Sequence, residues 1–262
     1  MALLDARIDH HARALWQAER SCTPLCALTD TDPTLDVADA YAIQTANIER
    51  RLAEGRLIRG RKVGLSSRAM QEMLGVDEPD FGVLLDDMVV EDGDEVHVSE
   101  LCQPRVEAEI AFVLATDLAG PGVGTSHAML ALAGVMPSLE IIDSRVENWN
   151  IRLVDTIADN ASSARVVVGG KLTPVAAVDL RLLGMALYRN GEVCATGAGA
   201  AVLGNPVRCV AWLANKLAEF GAQLYAGDIV LPGALHRAVP VEAGDTFRAE
   251  FARLGAVTTR FV

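Results

Sequence analysis

The chain has 262 residues, 51% of them hydrophobic, and its 23 basic against 35 acidic residues give a net charge of −12. That length suits one globular unit with a sizeable core, and the acidic balance excludes the basic footprint of a nucleic-acid binder. No apolar run approaches the roughly 20 residues that span a bilayer, the first residues lack a secretory signal pattern, and five scattered cysteines without zinc spacing suit reduced thiols in a cytoplasm.

Two helices are predicted at the start. Residues 2–20 place Leu3, Leu4, Ile8, Leu15 and Trp16 at apolar positions. Asp36 can cap a second helix that runs to about Glu54, with Val37, Tyr41, Ile48 and Leu52 as its stripe and Gly55 to end it. These define an N-terminal helical region, 1–56, ahead of a β-rich unit over 57–262, where short apolar segments alternate with Gly- and Asp-containing turns and regular βαβ alternation is missing.

Lys62 stands between glycines and apolar residues in Gly60-Arg61-Lys62-Val63-Gly64-Leu65. Local sequence favours a surface lysine at a strand edge; a partly buried ammonium there would instead hold a carboxylate or transfer a proton. Asp80, in Glu78-Pro79-Asp80-Phe81-Gly82, reads equally well as a turn cap.

Residues 105–114 carry the strongest signal. They read as a strand, with Val106, Ala108, Ile110, Phe112 and Leu114 on one face and Glu107 and Glu109 side by side on the other. Paired carboxylates on an apolar strand must be protonated, matched by a cation or bound to a metal, and all-oxygen donors suit a hard divalent ion such as Mg²⁺ or Mn²⁺. Glu140, in Ser138-Leu139-Glu140-Ile141-Ile142, is the best third ligand, with Asp143 a weaker competitor.

A helix is predicted over Ser126–Gly134. The polar run Asp159-Asn160-Ala161-Ser162-Ser163 can present hydroxyl and amide groups from a loop. Leu183–Arg189 and Glu192–Ala195 flank Asn190-Gly191, a hairpin signal. An amphipathic helix follows over Pro206–Phe220, with Val210, Leu213, Leu217 and Phe220 on one side, and then strands at Arg248–Phe251 and Val257–Phe261. His236, close to Pro232-Gly233, can border a pocket. Dinucleotide, phosphate-loop, nucleophile-elbow and zinc templates all fail.

Taken in order, Gly60–Ser67, Gly75–Gly82, Pro104–Glu109, Leu139–Arg145 and Asp159–Ser163 resemble the 2-keto-4-pentenoate hydratase family of the fumarylacetoacetate hydrolase superfamily, and Gly197–Gly199, Leu203–Pro206 and Ala211–Ala214 extend the likeness. The resemblance implies an α+β fold, a mixed β-roll with an N-terminal helical cap, and homo-oligomers. It implies Mg²⁺ or Mn²⁺ on Glu107, Glu109 and Glu140, and catalytic roles for Lys62, Asp80 and Ser162. The implied reaction is hydration of a 2-hydroxy-2,4-dienoate in meta-cleavage catabolism, with room for a complex with another pathway enzyme. A 4-oxalocrotonate decarboxylase shares the same motifs and would need a cation for a second carboxylate, for which Arg145, Arg165 and Arg237 are candidates. A non-catalytic member that supports a partner enzyme is a third reading, at odds with six retained site residues. A C–C bond hydrolase is a fourth, lacking a His-Glu pair to activate water.

Overall fold

The computed structural model describes residues 5–68, 71–72 and 75–262, so Leu3 and Leu4 of the expected first helix lie outside the described residues. Helix α1 (Ala6–Ser21) is capped by Asp5, whose carboxylate accepts the Arg7 N–H. A short helix α2 (Leu28–Thr31) leads to α3 (Val37–Ala53). Asp36 and Asp39 close a capping box at its start, and Gly55, at φ +93°, lies just past its end. Both caps satisfy N–H groups that a helix terminus leaves unpaired.

The first strands follow as β1 (Ile58–Gly64), β2 (Asp80–Leu85), β3 (Val89–Glu91) and β4 (Glu95–Val96). Then come β5 (Arg105–Leu114), helix α4 (Thr125–Ala131), β6 (Leu132–Ile142), helix α5 (Leu153–Ala158) and β7 (Ser163–Val168). The chain ends with the hairpin β8 (Gly184–Arg189) and β9 (Glu192–Ala198), helix α6 (Val207–Glu219), β10 (Ile229–Leu231), β11 (Val239–Pro240), β12 (Thr246–Phe251) and β13 (Gly255–Phe261). The predicted hairpin is present, and Asn190 and Gly191 take the positive φ values, 55° and 87°, that a primed turn requires.

One sheet runs in the order β2-β1-β10-β5-β6-β7-β3, with β11 also on β5, and a second runs β4-β13-β12-β8-β9. Both are mixed: β1 pairs parallel to β10, β3 to β7 and β13 to β4, and the other pairs are antiparallel. The α+β class with N-terminal helices is therefore what the chain adopts. Two local expectations need correction. The helix at 126–134 stops at Ala131, because Leu132 and Gly134 already pair with β5. Phe220 leaves the buried stripe of α6: it is 47% exposed and packs on Tyr41 and Phe81 instead.

The apolar face of β5 forms the centre of the core. Val106, Ala108, Ile110 and Phe112 are fully buried, in one cluster with Phe247 and Phe261 of the second sheet, Leu213 and Leu217 of α6, and Leu15 and Ile43 of the N-terminal helices. Each large side chain buried this way contributes about 1.5–3 kcal/mol. That anchoring fixes the register of β5, and register decides which face Glu107 and Glu109 occupy. Gln44 on α3 donates to the carbonyls of Phe81 and Ile157 at 3.0 and 2.9 Å, which joins the helical region to the strand that carries Asp80.

Candidate active site

Pairing of β5 with β6 sets Glu107 opposite Glu140 and Glu109 opposite Ser138. One carboxylate oxygen from each of Glu107, Glu109 and Glu140 lies within 4.8 Å of the other two. Glu109 and Glu140 are buried and Glu107 is partly so. Ser163 donates to Glu140 Oε1 at 3.0 Å, whereas Glu140 Oε2 is buried without a hydrogen-bond partner. The Gly233 N–H donates to Glu109 Oε2 at 2.8 Å. Burial pushes the Glu107 carboxyl up to about 7, with Lys62 opposing and Glu140 adding to the shift. Burial, followed by the charges of Glu140 and Glu107, also drives Glu109 well above its ordinary value. Such a trio of oxygen donors, one of them orphaned, fits a hard divalent cation.

Lys62 comes from the interior strand β1 and is 4% exposed, so the surface reading favoured by local sequence is wrong. Its Nζ donates to the Ala161 carbonyl at 3.0 Å and stands 3.4 Å from Glu140 Oε1. Burial works against its charge, but the carboxylates of Glu140, Glu107, Asp80 and Glu109 outweigh that and raise its pKa. Asp80 starts β2, opposite Gly64, and is 1% exposed. A Cβ at Gly64 would lie 2.1 Å from Asp80 Oδ1, so glycine there makes room for the carboxylate. Burial pushes Asp80 up to about 6 against the pull of Lys62, and Oδ1 has no hydrogen-bond partner.

Ser162 reaches the same region through a strained turn. Asn160, Ala161 and Ser162 all sit at left-handed φ, 53°, 51° and 54°; a non-glycine residue there costs on the order of 1–3 kcal/mol. Cross-links hold the turn. Asn160 exchanges two hydrogen bonds with the Val83 backbone at 2.8 and 2.9 Å, and the Asp143 N–H donates to the Ser162 carbonyl at 2.8 Å. Asp159 pairs with buried Arg145, whose Nε is 2.5 Å from Oδ1. Ser162 itself is 3% exposed, with its Oγ 3.4 Å from Thr156 Oγ1.

The structure therefore brings together Lys62 and the three glutamates, sets Asp80 near Lys62, and excludes Asp143; the Ser162 hydroxyl lies against Thr156, and its neighbour Ser163 is the serine that reaches Glu140. The Asp143 carboxylate accepts the Cys102 and Gln103 N–H groups at 2.8 and 2.5 Å and shapes the entry into β5. His236, which the sequence offers as a possible pocket residue, lies against β5. Its Nε2 accepts the Ala108 N–H at 2.8 Å, and Nδ1 lies 2.6 Å from the Arg237 carbonyl. The residue between the two strand glutamates is thus held by a histidine 128 positions away, a separation that no local pattern encodes.

A family model described as fumarylacetoacetate (FAA) hydrolase C-terminal matches residues 55–262. The chain is 47% identical over 253 residues to a 2-keto-4-pentenoate hydratase of Paraburkholderia xenovorans, covering 97% of this chain and 94% of the relative. It is 41% identical to a 2-oxo-hept-4-ene-1,7-dioate hydratase of Escherichia coli, with 96% of each chain covered. Among solved structures it is similar to a 4-oxalocrotonate decarboxylase from Pseudomonas putida G7, complexed with magnesium and adipate, at 41% identity and a TM-score of 0.94 over 97% of both chains.

Proposed function

The chain belongs to the fumarylacetoacetate hydrolase family, and from that membership and the site geometry we propose that it is a hydro-lyase of the 2-keto-4-pentenoate hydratase type. It adds water to a 2-hydroxy-2,4-dienoate, giving a 4-hydroxy-2-oxo acid, in meta-cleavage breakdown of aromatic compounds. The observation that carries this reading is a three-glutamate cluster beside a buried lysine and a buried aspartate with a free oxygen. Glu107, Glu109 and Glu140 would hold the metal, Mg²⁺ or Mn²⁺. When bound, the metal supplies Lewis-acid polarisation of the substrate's 2-oxygen.

Lys62 holds negative charge in place at Nζ, which faces Glu140, and its bond to the Ala161 carbonyl fixes its reach. Asp80 Oδ1 accepts the proton of the substrate's 2-hydroxyl and passes it to C5, which leaves an α,β-unsaturated 2-oxo acid. A carboxyl held at about 6 is suited to both halves of that transfer near neutral pH. Ser162 orients the water that adds at C4, and the proton released there ends on C3. Burial of Asp80, Lys62 and Ser162 keeps other water away from the transfer.

The test is turnover of freshly generated 2-hydroxypenta-2,4-dienoate with Mg²⁺, with Mn²⁺ and with a chelator, following dienoate absorbance and product mass. Metal-dependent gain of one water supports the hydratase. No turnover of the dienoate, with carbon dioxide released from 4-oxalocrotonate, supports the decarboxylase instead.

A further inference from the structure

The arginines that the sequence suggested for a second carboxylate are mostly engaged elsewhere. Arg145 is paired with Asp159 and Arg165 with Glu100, at 2.5 and 3.0 Å. Arg105 stands apart from them. It lies on the same face of β5 as Glu107, two residues nearer the strand's start. Exposure rises along this face: Glu109 is buried, and Glu107 and Arg105 are partly exposed. Arg105 therefore marks the open end of the acid row. Its charged neighbours are Arg237 and Glu107. Among the described residues neither the Arg105 nor the Arg237 side chain has a carboxylate hydrogen-bonded to it.

Arg105 is nevertheless held in place. Its guanidinium carbon lies 4.3 Å from the centre of the Trp149 ring, a cation–π contact that holds the charge over the indole. Trp149 and Asn148 both sit at φ 56°, a conformation that a bulky side chain rarely adopts. Gln103 pins this loop. Its side-chain amide donates to the Ser144 and Val146 carbonyls at 3.0 and 2.9 Å, its Oε1 accepts the Asn148 N–H at 2.8 Å, and its carbonyl accepts Trp149 Nε1–H at 3.1 Å. An indole is thus clamped, in strained backbone, onto an arginine that, among the described residues, has no carboxylate hydrogen-bonded to it and only Glu107 as a nearby negative charge.

We propose that Arg105, held over the Trp149 ring, is a substrate-binding residue that recognises a carboxylate of the dienoate, with Arg237 adding positive potential. This rests on the hydratase reading above. A planar guanidinium matches a carboxylate through two parallel N–H donors. That carboxylate is either the C1 group of every dienoate or a second group at the far end of a diacid.

The experiment compares wild type, Arg105→Met and Arg105→Lys on 2-hydroxypenta-2,4-dienoate and on a dienoate with a second, terminal carboxylate. Mn²⁺ affinity is measured on the same preparations. Losing a charged hydrogen-bond partner predicts about a 10–100-fold fall in kcat/KM for Arg105→Met, mostly in KM, with partial recovery in Arg105→Lys and unchanged Mn²⁺ affinity. A fall on both substrates assigns the C1 carboxylate; a fall on the diacid alone assigns the far one. Trp149→Leu should raise KM and leave kcat in place. Values within twofold of wild type on both substrates, or a fall matched by lost Mn²⁺ affinity, would overturn the proposal. Calorimetric binding of 2-oxopentanoate to wild type and Arg105→Met reads the C1 role even if the wild type hydrates neither substrate.

Discussion

Glu107 and Glu140 face each other directly across the antiparallel pair β5–β6. Like charges at directly opposed positions destabilise a sheet, and Lys62, followed by Arg105, offsets the Glu107 charge. Without a bound cation the cluster therefore costs stability, and the proposed ligand role of its carboxylates has consequences that can be measured.

Glu107→Gln and Glu140→Gln remove one charge from the cluster. Each should weaken Mn²⁺ binding by more than about tenfold, the lower range for second-shell changes at metal sites. Glu107→Gln should also raise the melting temperature of chelator-treated protein, because the repulsion is relieved, whereas Glu140→Gln should lower it, because Glu140 is the carboxylate nearest the buried Lys62. Calorimetric titration and thermal melts check both; unchanged Mn²⁺ affinity in both variants would contradict the ligand set.

The raised carboxyls give stability a pH dependence. Glu107, held up at about 7 by burial, and Asp80, at about 6, bind protons more tightly folded than unfolded. Such groups support the fold fully below their unfolded pKa of about 4 and lose that contribution as pH rises through the folded value. Metal-free protein should accordingly melt at falling temperature from about pH 5 to pH 8. Saturating Mg²⁺ should flatten the trend, and Mn²⁺ affinity should climb over the same interval, because binding displaces protons.

His236→Phe leaves the Ala108 N–H without its acceptor between the two strand glutamates. Metal affinity should fall about tenfold, the range for residues that orient ligands, with the fold retained by circular dichroism. Affinity equal to wild type would show that the apolar face of β5 alone positions the pair.

Asn160→Ala removes both bonds to the Val83 backbone that hold the left-handed turn. Loss of stability by about 1–3 kcal/mol follows from orphaning the buried partners, and turnover should fall because Ser162 and the Lys62 anchor shift together. Denaturant unfolding alongside steady-state kinetics separates the two effects.

Patterns within a few residues were legible in the sequence. Alternation in 105–114 placed Glu107 and Glu109 on one face, Asp36 and Gly55 marked the bounds of α3, and Asn190-Gly191 marked the hairpin. Local sequence favours a surface position for Lys62 because its burial comes from β10 and β2 packing on either side, and β10 lies far along the chain. The Asp159–Arg145 clamp, the His236 buttress and the Trp149–Arg105 stack join side chains from different segments. Only the assembled sheet brings those partners together, so their local sequence carries no period or motif that announces them.

Under the proposed function, hydration depends on a divalent ion held by Glu107, Glu109 and Glu140. The most direct measurement titrates Mn²⁺ into metal-free wild type and Glu140→Gln, and records bound metal and the rate of water addition to 2-hydroxypenta-2,4-dienoate in the same samples. Wild-type rate should rise in proportion to occupancy, and Glu140→Gln should lose both together. Full hydration by chelator-treated wild type, or a Glu140→Gln protein that binds Mn²⁺ as wild type does, would contradict that reading.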